Sequence, residues 1–190
     1  MGLDIYVNFV EREELDKNII YSKYMLEGSL FLSRTFCNFM CRKDVIEEVP
    51  ELNQIGIITN CDIEFLNRME TYFPIWEIEE FTEGIFDKEE KQRIEKETQE
   101  NNAKLIGNIL DVKAKLTCLI EVLSKTDNLA HKIETPTFDT LNHELYFSDF
   151  NQKKVNVNTE NNLGQDLKSL LRHIELAIQS NAKTVYFSYG

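Results

Sequence analysis

The sequence predicts an α+β fold on three observations: apolar residues at helical spacing through the middle of the chain, strand-like alternation near both ends, and a capped apolar stripe just before the last strand. The expected architecture is one domain over residues 1–190, with a small sheet made from the N-terminal strand, a C-terminal hairpin and the last strand. Helices cover that sheet, and the middle, about residues 33–125, is mainly helical.

A long helix around 87–125 dominates the middle. Leu105, Ile109, Val112, Leu116, Leu119 and Leu123 fall at intervals of four and three, which stacks them on one face. Ile106, Leu110 and Ile120 widen that seam into a stripe suited to burial against a core. The first half, Lys88 to Asn102, has almost no apolar content beyond Ile94 and must face water or a partner. Unbroken, about 38 residues would span roughly 57 Å, whereas one globule of this length is roughly 40 Å across. The helix therefore breaks near Asn101, Asn102 or Gly107, all poor helix formers, or projects a polar arm. Asp87 with Glu90 supplies a capping box at its start.

The other elements follow in order. Leu3, Ile5, Val7 and Phe9 alternate with polar or aromatic neighbours as in a strand with one buried face, whereas Glu11 to Asn18 is charged and loop-like, and Ile19 to Leu32 shows no clean period. Ser33 caps a helix whose core face holds Phe36, Phe39 and Met40 and which ends before Pro50, with Arg34 and Arg42 exposed at its flanks. Ile55 to Thr59 reads as a short strand or a helix entry. Thr59 and Asp62 then cap a helix through Tyr72 that Pro74 stops. The chain loosens from Asp127 to Asn142. Glu144 to Phe150 reads as a strand that turns over Asn151 to Lys154 into a second one holding Val155 and Val157. Asn162 and Gln165 cap a helix with Leu163, Leu167, Leu170, Leu171, Ile174 and Ile178 as its stripe, and Thr184 to Tyr189 returns to the sheet as a crossover strand.

Bulk properties narrow the function. A net charge of -12 opposes direct nucleic-acid binding, which needs clustered Lys and Arg, and equally opposes anionic membrane surfaces. No apolar run approaches the roughly 20 residues of a spanning helix, and Met1 to Val10 lacks the character of a signal peptide, so a cytoplasmic protein without a membrane contact is expected. Cys37, Cys41, Cys61 and Cys118 lack the spacing of a disulfide framework and read as reduced thiols. Cys37 and Cys41 lie one helical turn apart, but no second pair completes a zinc site, and neither metal nor cofactor is expected.

Ile75 to Phe86 mixes aromatic and acidic residues, the composition of a partner surface in which aromatic anchors supply energy and carboxylates supply specificity. Between Glu77 and Glu100 ten acidic residues face four basic ones. The expected partner-binding residues are Trp76, Glu77, Glu79, Glu80, Phe81, Glu83, Glu90 and Glu97, acting on a protein partner or a second copy of the chain. Solvated helices laced by Glu and Lys pairs have the same composition, and imitation of nucleic-acid phosphates is a special case of the binding reading.

Catalytic patterns are sparse. There is no phosphate-cradling glycine loop and no G-x-S-x-G elbow, and Phe147 stands where a zinc-protease motif beginning at His143 and Glu144 requires its second His. Asp139, His143 and Asp149 form the best remaining constellation, suited to a small-ligand site or a metal-dependent hydrolase if they converge. The openings MGLDIY, at Met1 to Tyr6, and SRTF, at Ser33 to Phe36, resemble those of small bacterial and phage proteins that begin with MGLD. That resemblance implies a bacterial or mobile-element origin and carries no activity or site residue with it. A protein-interaction or regulatory role through an acidic helical surface is the leading expectation, and the ligand or hydrolase site is the alternative.

Overall fold

The computed structural model describes residues 4–10, 32–74, 78, 80, 82–85, 87–134, 143–148, 150–151 and 161–190. It combines helix and strand as the sequence predicts. Strand β1 (Ile5–Val10) is followed by helices α1 (Arg34–Met40, extended by a 3-10 turn Cys41–Asp44), α2 (Glu51–Thr59), α3 (Glu64–Met69), α4 (Lys88–Leu105), α5 (Ile109–Leu123), α6 (Leu129–Lys132), α7 (His143–Phe147) and α8 (Leu163–Gln179), then strand β2 (Thr184–Tyr189). β1 and β2 pair antiparallel, from Ile5 opposite Tyr189 to Val10 opposite Thr184.

Period-2 patterning holds in both strands. Val185 and Phe187 are buried on one face of β2, where Phe187 meets the edge of Phe36, and Tyr186 on the other face packs against Tyr72. α8 begins with the expected capping box, Asn162 accepting from the Gln165 amide while the Gln165 side chain accepts from the Asn162 amide. Its residues Leu163, Leu167, Leu170 and Ile174 are buried and pack along α5, where Ile109, Val112, Leu116, Leu119 and Leu123 are buried in turn.

Several expectations are corrected. The long helix breaks at residues 106–108, where Gly107 takes a positive φ of 77° and the chain turns into α5. Ile106 and Leu110, expected in the buried seam, are exposed at that corner. Ile55 to Thr59 is the second half of α2, whose N-cap position is Pro50, so this proline starts a helix rather than merely ending one. Thr59 gives its hydroxyl to the Ile55 carbonyl instead of capping, Asp62 accepts from Glu64, and α3 ends at Met69. Arg42 is not an ordinary surface side chain: its guanidinium forms a two-point ion pair with the fully buried Glu51, at 3.1 and 3.3 Å.

Most of the predicted strand at 144–150 is helix α7, which removes the first strand of the hairpin; Val155 and Val157, in the strand expected to enter the crossover, lie outside the described residues. A strand would send Tyr146 and Phe147 to opposite faces. Both are buried, Leu145 is exposed, and Phe150 is again inward, which is helical spacing. Phe39 fixes this choice by stacking on Tyr146 at 5.2 Å and packing against Phe147 at 4.8 Å.

Two polar nodes join these layers. Asp166, in the first turn of α8, is fully buried and accepts four hydrogen bonds: from the Ser33 amide (2.9 Å) and hydroxyl (2.6 Å), the Tyr146 hydroxyl (2.9 Å) and the Asn161 amide (3.0 Å). Burial raises its pKa against the pull of these donors. Ser33 simultaneously accepts from the Phe36 amide as the N-cap of α1, so a single carboxylate ties α1, α7 and α8 together. Gly164 is required beside it, because an added Cβ would lie 2.0 Å from the Phe150 carbonyl oxygen.

The second node is the α4–α5 corner. Asn108 donates from its amide to the Val185 carbonyl at 2.9 Å and accepts from the Val185 N–H at 2.8 Å, pairing with the free edge of β2 as another strand would. Gly107 N–H donates to the Thr184 hydroxyl at 3.0 Å and Ile109 N–H to the Lys183 carbonyl at 3.1 Å. Asn102 clasps Phe73 in the same way, at 3.0 and 2.6 Å, and Gln54 clasps Glu134, at 2.7 and 2.8 Å.

Asn108→Ala is expected to destabilise the domain by about 1–3 kcal/mol, because it strands the N–H and C=O of a buried residue. Asn102→Ala, whose partner Phe73 is half exposed, should cost less than about 1 kcal/mol. Asp166→Asn, which places an amide donor among four donors, should cost about 2–4 kcal/mol. Urea unfolding of the three variants checks this order.

Candidate functional site: the outward face of helix α4

α4 is capped by Asp87, whose carboxylate accepts from the amides of Glu89 (2.9 Å) and Glu90 (3.4 Å), and Glu89 and Glu90 complement the positive end of the helix. Only Leu105 of its 18 residues is buried. Lys91, Ile94, Thr98, Asn101 and Asn102 are half-buried on the side that turns inward with Leu105. Glu89, Arg93, Lys96, Glu97, Glu100 and Lys104 are exposed on the other, within an arc of about 100° at about 100° per residue. Internal pairs Lys91–Glu95 (3.9 Å), Arg93–Glu90 (3.8 Å) and Lys96–Glu100 (3.9 Å) lace the helix loosely.

The charge on α4 is balanced: five acidic and five basic residues. The acidity that the sequence places between Glu77 and Glu100 is concentrated upstream, over residues 77–90, where seven acidic residues face Lys88. Of the expected partner residues, Glu80, Glu83, Glu90 and Glu97 are exposed, and Trp76, Glu77, Glu79 and Phe81 lie outside the described residues. Ile78 and Thr82 are buried, with the Thr82 hydroxyl bonded to the Ile78 carbonyl, so Glu80 and Glu83 stand on the solvent side of this short helical stretch. At the base of α4, Phe73, Ile106 and Leu110 expose apolar surface around the Asn102 clasp.

The alternative site is less completely defined. Asp139 and Asp149 lie outside the described residues, and His143 opens α7. Beside α7 a cleft of about 420 Å³ is lined by Asp127, Asn128, His131, Glu144, Ser148 and Asn151, among others. No group of three or more His, Cys, Asp or Glu among the described residues is arranged to hold a metal ion. Cys37 is unsuited to nucleophilic chemistry: burial, then the adjacent Cys41, pushes its pKa up to about 12. Near it, Glu70 accepts hydrogen bonds from Lys43 and from the Tyr189 hydroxyl, and burial and Glu70 together raise the Tyr189 phenol.

Comparison with protein-family models, with curated proteins and with solved structures finds no match for this chain. Among the described residues no helix is long and apolar enough to cross a membrane.

His173 on α8 sets a pH dependence. Burial lowers its pKa to about 4 against the opposing pull of the Ser169 backbone one turn back, with Arg172 adding repulsion, and its Nδ1 has no well-formed hydrogen bond. The unfolded chain takes up this proton near pH 6.5 and the folded one near pH 4. Stability is therefore retained above pH 6.5 and lost as pH falls toward 4, by on the order of 2–3 kcal/mol. Asp166, raised on folding, contributes with the opposite sign. Urea unfolding across this window should show a smaller acid loss in His173→Gln than in the wild type.

Proposed function

We propose that the chain is a protein-interaction protein that associates through the outward face of α4, and that its first partner is a second copy of itself. One observation carries the reading: the charge order on that face complements itself when reversed. With two α4 helices antiparallel and centred between Lys96 and Glu97, Glu89 opposes Lys104 of the other copy, Arg93 opposes Glu100, and Lys96 opposes Glu97. The two-fold repeats each pairing, as expected of an isologous contact. No like charges oppose one another along this helix pair.

The net charge of -12 supports the same location, since two copies repel almost everywhere except where a balanced face meets another. Exposed ion pairs contribute only about 0.2–1 kcal/mol each, so the association is weak, with a dissociation constant no tighter than about 0.1 mM. The acidic approach at Glu80 and Glu83 extends the surface for a basic protein partner.

A second reading, a small-ligand-binding protein or metal-dependent hydrolase with Asp139, His143 and Asp149, draws only on the cleft beside α7, whose lining among the described residues contains none of these three. A bound small molecule or metal in a native mass spectrum of the full chain supports it.

Sedimentation velocity at an ionic strength of about 0.1 M, where screening acts beyond about 10 Å, tests self-association. The wild type should show a concentration-dependent dimer. Lys96→Glu, which sets a carboxylate against Glu97 at both symmetric contacts, should abolish it, and Lys96→Glu combined with Glu97→Lys should restore it. A monomer at all concentrations, or a double exchange that fails to restore the dimer, contradicts the proposal.

A further inference from the structure

We propose that Cys61 and Cys118 form a reversible disulfide under peroxide-class oxidants, linking the turn after α2 to helix α5. Backbone and ion-pair geometry bring the two residues together. α2 ends with Asn60 in the left-handed conformation (φ 53°), with Asn60 N–H bonded to the Ile57 carbonyl and Cys61 N–H to the Gly56 carbonyl, which fixes the position of Cys61. The next residue, Asp62, is anchored on α5 by Lys115 at 3.3 Å, and Asp111 holds the same Lys115 at 2.9 Å. Cys118 lies three residues beyond Lys115, on the same side of α5.

The two thiols differ in access. Cys61 is half-buried against the core, and Cys118 is exposed. The neighbouring Cys61 raises the pKa of the Cys118 thiol, first of all by its charge. Its raised pKa also keeps the Cys118 thiolate scarce at neutral pH, so oxidation is slow beside that of a specialised peroxide-reducing thiol.

The chemistry balances with hydrogen peroxide as the oxidant. The Cys118 thiolate attacks one peroxide oxygen, the O–O bond breaks, and protonation releases water and leaves a sulfenic acid. The Cys61 thiolate then attacks the Cys118 sulfur; the S–O bond breaks, a second water leaves and the S–S bond forms. Both electrons come from the two thiols, and both protons leave in the waters. A dithiol reductant reverses the link by exchange.

The remaining pair provides the internal comparison. Cys37 is fully buried and its thiol is held at about pKa 12, so it should stay reduced in the folded chain. The full chain is treated with hydrogen peroxide, quenched by denaturation in iodoacetamide and read by intact mass and peptide mapping. The expected product has lost two hydrogens, takes up two alkyl groups instead of four, joins the peptides of Cys61 and Cys118, and reverts with dithiothreitol. Cys61→Ser and Cys118→Ser should each abolish the internal link. Four alkylated cysteines after oxidation overturns the proposal, as does a link confined to Cys37 and Cys41 or one made only between chains. These wild-type readouts decide the matter even where a Ser variant fails to fold.

Discussion

The pairing of the Asn108 side chain with the backbone of Val185 is the contact on which the layout of the molecule depends. β1 satisfies one edge of β2, which leaves the other edge with an N–H and a C=O at a fully buried residue. An asparagine side chain presents one donor and one acceptor at the spacing of a peptide group, so it completes this edge without a third strand. Its neighbours join the seal through Thr184 and Lys183. The helix has to break here, because residues committed to the sheet edge cannot continue the α ladder, and the positive φ of Gly107 makes the turn accessible. From that corner α5 runs inward against α8, and α4 lies to one side with a charged outer face.

Asp166 acts at the opposite end of the core by similar logic. Its carboxylate is costly to bury, and four donors from three segments offset the cost. A polar node of this kind contributes specificity of arrangement more than net stability, since Ser33, Tyr146 and Asn161 can all be satisfied together in only one relative placement of α1, α7 and α8. Arg42 with Glu51 is a third instance, joining α2 to the turn that follows α1.

Features encoded locally were legible in the sequence. The α8 capping box and stripe, the Ser33 cap, the seam of α5 and the alternation of both strands each depend on residues within a turn or two of one another. Features decided at long range were not. Leu145 and Phe147 alternate like a strand, but Phe39, distant in sequence, draws Tyr146 and Phe147 to one side. Gly107 was one of three plausible breaks, and the choice among them lies in Asn108 meeting Val185. Asp166 resembles any acidic residue in a first helical turn until its donors come from elsewhere in the chain. At the candidate site the charges of α4 were visible, but only Ile94, eleven residues before Leu105 and so on the same side at about 100° per residue, marks in the sequence which side of the helix turns inward. The seam expected to bury Ile106 and Leu110 ran past the break, where the helical phase no longer holds.

This corner divides a helix into a packed half, α5, and a half, α4, held mainly at its base with its charged face exposed. Amide hydrogen exchange of the full chain, resolved along residues 88–123, tests it most directly. Fast exchange is expected over the first three turns of α4, slowing toward Leu105, with exchange slower by orders of magnitude across Val112 to Leu123. Equal protection through both helices would mean that α4 is built into the core, and would rule out this division.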